Sequence, residues 1–115
     1  MTSSASKVRF EGDSGVDIAV QEIDAVSSDG KKKRIILRLG APFRIKGFTC
    51  IWTELDNLDR TGGPIMGEGS FHTLVLVVRW IVLRLESFEK KRGYRYFWPD
   101  SNDTFDYRDF FSAVK

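Results

Sequence analysis

The chain has a single cysteine, Cys50, and a single histidine, His72. One thiol closes no disulfide within the chain, so cysteine usage does not call for an oxidising compartment. One Cys and one His also fall short of the closely spaced ligands that a structural zinc site needs. Long uninterrupted apolar runs are missing as well. The most hydrophobic stretch is cut by Arg79 and Arg84, which argues against a membrane span. The opening MTSSASKVRFEGDSG lacks the apolar segment of a secretory signal. It reads as a loose arm over residues 1–15, ahead of one domain over 16–115, and the cytoplasm is the expected location.

Catalytic and cofactor signatures are equally sparse. The glycine-rich stretch GGPIMGEGS precedes a helical pattern, where backbone amides could hold an anion. It has neither the Lys-Ser/Thr of a P-loop nor a dinucleotide fingerprint, and Glu68 would repel an anion. No cofactor is expected. Ser70 and His72 are two apart and do not face each other on a helix. Cys50, on a strand, reads as a small core residue. A carboxylate pair for glycoside chemistry finds no support in the spacing.

Net charge is only +2, too little to imply nucleic acid by itself. Its distribution says more. Residues 100–115 hold four Asp against Arg108 and Lys115, a net of −2, which leaves +4 elsewhere. Basic residues cluster at Lys31–Arg34 and at Lys90–Arg92, beside expected turns, and read as solvated ends. No RNA-recognition or helix-turn-helix signature accompanies them, and the acidic tail argues against a nucleic-acid partner.

The chemistry-bearing stretch is PDSNDTFDYRDFF, residues 99–111. Asp100, Asp103, Asp106 and Asp109 recur every third residue, with Phe105, Tyr107, Phe110 and Phe111 among them. A calcium loop would place acidic residues at its first, third and fifth positions and Gly at its sixth. Counting from Asp100, Thr104 and Phe105 occupy the fifth and sixth, so that pattern fails. Two readings remain. The carboxylates, with Tyr107 as an aromatic anchor, oppose a basic cleft on a protein partner. Alternatively, the phenylalanines fold back onto the core. Both place Phe110 and Phe111 at least partly inside.

Local patterns give the architecture. VDIAVQEIDAV (16–26) has strand composition, with Ile18, Val20 and Ile23 facing inward. Asp29-Gly30 marks a hairpin. RIILRLG (34–40) alternates, with a bend at Gly40 and Pro42. RIKGFTCIWTEL (44–55) reads as one strand, with Phe48, Cys50 and Trp52 on one face. DNLDRTGGPIMGEG (56–69) reads as a long loop. Ser70 is the expected N-cap of a helix running to Gly93. Its apolar residues cover nearly the whole circumference, and His72, Arg79 and Glu86, repeating every seven, keep one narrow stripe wet. Such a helix packs on a sheet and also meets something else. YRYFW (94–98) closes as a strand. The sum is β-β-β-α-β: an α+β domain with about four antiparallel strands and one long apolar helix.

The stretches IAVQEIDA, SDGKKKRIILRLGAPF with its R-L-G-x-P, GEGSFHTLVLVVRWIVLRLE and GYRYFW together span residues 18 to about 98. In this layout the chain resembles a family of small bacterial proteins of unknown function. The heavily β-branched helix and the acidic tail depart from that pattern. The resemblance supplies no catalytic residues. By class rather than by sequence, such small proteins resemble the immunity proteins that accompany bacterial toxins. The expectation is therefore a non-enzymatic protein-binding module that occludes a toxin's basic cleft. The alternatives are a ligand-binding domain or enzyme at residues 62–69, using Glu54, Glu68 and His72, or a homodimer built on a self-complementary helix.

Overall fold

Asp29-Gly30 turns the chain as its sequence demands. Gly30 has φ 87°, and its N–H donates to the Ser27 carbonyl at 2.9 Å. This hairpin joins β1 (Asp17–Val26) to β2 (Lys32–Gly40) in antiparallel register, with Ile23 opposite Ile35 and Asp24 opposite Arg34. The computed structural model describes residues 12–112. The arm expected over 1–15 therefore lies outside the described residues up to residue 11.

Pro42, which has no N–H to donate, and the bend at Gly40 end β2. The chain resumes as β3 (Phe43–Ile45) and reverses at Lys46-Gly47 into β4 (Phe48–Asp56). Both turn residues have positive φ, 48° and 89°, as a type I′ hairpin requires. The single strand expected over 44–55 is therefore two strands and a turn. A second tight turn at Asn57 (φ 70°) leads into β5 (Asp59–Gly67).

β5 corrects the long loop expected over 56–69. It pairs with β4 from Thr49–Gly67 to Leu55–Asp59, with an irregularity between Thr53 and Leu55. Among the described residues it pairs with β4 alone and so stands at a sheet edge, where a strand tolerates a proline such as Pro64. A 23-residue helix, α1 (Ser70–Arg92), then crosses one face of the sheet and ends at Gly93, whose φ of 68° is the left-handed cap foreseen. β6 (Arg95–Phe97) returns antiparallel to β1.

The domain is thus α+β, with six antiparallel strands in one sheet among the described residues rather than about four in all. β2 and β3 share one side of β4, β5 takes the other, and β1 and β6 extend beyond β2.

One face of this sheet makes the core. Ile23, Ala25, Ile35, Leu37, Ile51 and Leu55 meet Val77, Ile81 and Leu85 of α1. The four fully buried helix positions, 73, 77, 81 and 85, are spaced by four and form a narrow seam. Ile18 and Val20 were expected inside but are exposed. Strand alternation explains this. Ile23 and Ala25 have odd numbers and point to α1, so even-numbered positions point away.

The start of α1 is held closely. Gly69 rather than Ser70 occupies the cap position, and no side chain caps it there. The Thr73 hydroxyl lies 2.7 Å from the Gly69 carbonyl and 3.1 Å from that of Thr49. A Cβ on Gly67 would sit 2.5 Å from Thr73 Oγ1, so the β5–α1 corner has no room for a side chain.

Candidate partner-binding groove

After β6 the acidic–aromatic stretch folds back along the sheet edge and onto α1. The Trp98 N–H donates to the Asp103 carbonyl and the Phe105 N–H to the Tyr96 carbonyl, both at 2.9 Å. Phe105 is 1% exposed. Its ring lies 4.9 Å from those of Trp98 and Phe110 and 6.4 Å from that of Phe111. The phenylalanines therefore fold inward, to different depths. Phe111 is half-buried, whereas Phe110 is 48% exposed.

A short helix, α2 (Tyr107–Phe110), follows. Asp106 is its N-cap and accepts the Asp109 N–H at 3.2 Å, as Asp does at helix starts. Tyr107 corrects an expectation. It is 3% exposed, stacks edge-on against Tyr96, and donates its hydroxyl to Glu89 at 2.5 Å. It anchors α2 to the core and is not displayed to a partner. Burial, reinforced by the Glu89 carboxylate, pushes the phenol well above its ordinary range. The Tyr107 hydroxyl, together with Arg108 at 2.9 Å, holds the Glu89 carboxyl below the usual range. Arg108 also reaches Glu86 and lies over the Tyr107 ring.

The four aspartates do not share one environment. Asp100 reaches Arg34 at 2.9 Å, and its N–H donates to buried Asp24 at 2.8 Å. Asp103 is exposed on the intervening loop, where its N–H donates to Ser101 Oγ. Asp106 and Asp109 come together. With Arg79, Val82, Leu83 and Phe111 they line an open groove of about 590 Å³ between α1 and α2. Its wall includes Leu83, which is 61% exposed although its neighbours Ile81 and Leu85 are buried. The groove thus has apolar surface beside two exposed carboxylates. The charge of Arg108 on the same rim is shared with Glu86 and Glu89.

The residues of the alternative site do not converge. The 62–69 stretch is mostly β5. Glu54 lies opposite Arg38 on the sheet face turned away from α1, whereas His72 is on α1 and accepts the Glu68 N–H at 3.0 Å. Cys50 is fully buried, and burial pushes its thiol up, away from the reactive thiolate. Among the described residues, no three His, Cys, Asp or Glu side chains gather as a metal site. No helix of the described residues is long and apolar enough to cross a membrane.

Sequence reasoning missed the arginine networks. Arg34 joins Asp24 at 2.6 Å, Glu22 at 2.8 Å and Asp100. Arg38 joins Asp17 and Asp56, and Arg84 joins Asp59. The period-two alternation of β1 and β2 places Asp24 and Arg34 on one face, a signal that their strand pairing then completes.

No protein-family model matches the chain, and neither a curated protein nor a solved structure resembles it significantly.

Proposed function

We propose that the chain is a non-catalytic protein-binding module whose docking surface is the α1–α2 groove. In its most concrete form it is an immunity protein. A basic, partly apolar segment beside a toxin's substrate cleft seats on Leu83, Val82 and Phe111, and Asp106 and Asp109 meet its cations. One observation carries this reading: a largely exposed leucine beside two carboxylates in a groove that α2 builds. Apolar anchors supply affinity, and rim carboxylates speed encounter and select a cationic partner. Because Tyr107 and Glu89 fix α2, the groove is preorganised and binding need not order it.

The test is the affinity for the product of the neighbouring gene, with wild type and an Asp106→Ala/Asp109→Ala variant. The proposal expects slower association and a weaker salt dependence in the variant. Absence of binding by the wild type overturns the immunity role. Self-association through the groove in light scattering would assign it to a second copy of the chain instead.

A further inference from the structure

The antiparallel meander brings distant basic residues to one end of the molecule. The β1–β2 hairpin, the β4–β5 turn and the C-terminus of α1 all lie there. They deliver Lys31, Lys32 and Lys33 from the hairpin, Arg60 from β5 and Arg92 from α1. Two adjoining concavities of 420 and 530 Å³ share the wall made by Lys33, Arg92 and Tyr94. Lys31 and Lys32 line the first and Arg60 the second, so the cations run the length of a trough. Last-turn cations suit a helix dipole, but the hairpin lysines and Arg60 come from other elements.

The nearby carboxylates are engaged locally. Asp29 is held by the Ser27 hydroxyl and the Lys31 N–H, and Asp59 by Arg84. The aromatic rings of the trough are covered by cations. Lys33 lies over Tyr94 at 5.2 Å, and Arg84 and Arg92 lie over Phe88. A protein interface is anchored by apolar or aromatic groups, and beside the cation-covered rings the lining offers only Leu58, which is partly buried against the core. Its chemistry is a line of cations, which matches a repeating phosphate backbone.

We infer that this trough binds the phosphate backbone of a single-stranded nucleic acid without reading its sequence. The inference is independent of the α1–α2 groove. A labelled oligothymidine strand, followed by fluorescence anisotropy across a salt series, tests it. About three to five phosphate contacts at roughly 0.7 each give a slope of log affinity against log salt between about −2 and −3.5. Lys31→Ala/Lys32→Ala should lower that slope by about 1.4 and the affinity roughly 25-fold at about 0.1 M salt. Arg44→Ala/Lys46→Ala removes the same charge at the opposite end of the sheet and should leave both nearly unchanged. Asp106→Ala/Asp109→Ala should not weaken binding, which keeps this result separate from that of the groove. No binding at low salt overturns the inference. So does an equal loss in the two basic double variants, which would mean only diffuse attraction. Polyglutamate that competes as well as the oligonucleotide would assign the trough to acidic proteins and also overturn it.

Discussion

Phe105 sits where the C-terminal stretch closes the core, so truncating it measures how firmly that stretch belongs to the fold. The ring is 1% exposed and touches three other aromatic rings. Phe105→Ala removes its burial and leaves a cavity walled by Trp98, Phe110 and Phe111. Buried Phe→Ala changes cost about 3–5 kcal/mol. The upper half of that range is reached only where the site cannot collapse into the space, and Phe110, already half-exposed, is free to do so. A loss near 3 kcal/mol is therefore expected, a fall of about 10–20 °C in melting temperature for a domain of this size. Urea unfolding followed by circular dichroism measures it. Trp98 adds a local signal, because its ring packs edge-on against Phe105 and its emission should shift to the red. A loss below about 1 kcal/mol with unchanged emission, far under the range for a buried ring, would refute the reasoning. The aromatic segment would then be an appendage.

Further outcomes follow from the same geometry. Burial tends to raise the Asp24 carboxyl, but the Arg34 guanidinium and the Asp100 N–H outweigh it and hold the group below its ordinary range. A depressed folded value stabilises above the unfolded value of about 3.9 and is lost as pH falls through the folded one. Asp24→Asn should therefore lower stability at neutral pH by about 1.5–3 kcal/mol and flatten its decline below about pH 4, read from urea midpoints across pH. Gly67→Ala forces a methyl against Thr73 and should cost about 1–3 kcal/mol in the same assay, while Gly63→Ala, which meets nothing, should cost less. Tyr107→Phe deletes the hydroxyl on Glu89 and should cost about 1 kcal/mol, near the neutral-bond range because Arg108 continues to serve that carboxylate. Faster amide exchange in α2 should accompany it.

The helix was legible because its length, its C-capping glycine and its polar stripe agreed. The hairpin at Asp29-Gly30 was legible because that dipeptide supplies its own turn geometry. β5 was not, since Gly62, Gly63 and Pro64 all disfavour a strand interior, and only its edge position makes them tolerable. Lys46-Gly47 was passed over because the flanking alternation continues through it in sequence, although the backbone reverses there. In the candidate site, the regular spacing of four aspartates suggested one patch. Their spacing could not show that Pro99 and the following turn would send Asp100 to Arg34 while a separate helix carried Asp106 and Asp109 to α1. Tyr107 looked like a surface anchor because its neighbours are charged. Its burial depends on Glu89, eighteen residues away. The convergence of Lys31–Lys33 with Arg60 and Arg92 likewise depends on strand order, which charge runs do not encode.

Leu83 offers the most direct test of the docking groove. It is exposed in the unbound chain, so Leu83→Glu should leave the urea midpoint within about 0.5 kcal/mol of wild type. Calorimetric titration with the neighbouring gene's product should then show a loss of at least about 2 kcal/mol, roughly thirtyfold in affinity, as expected for an interface anchor. Unchanged affinity in a folded Leu83→Glu protein would contradict the assignment of the α1–α2 groove as the binding surface.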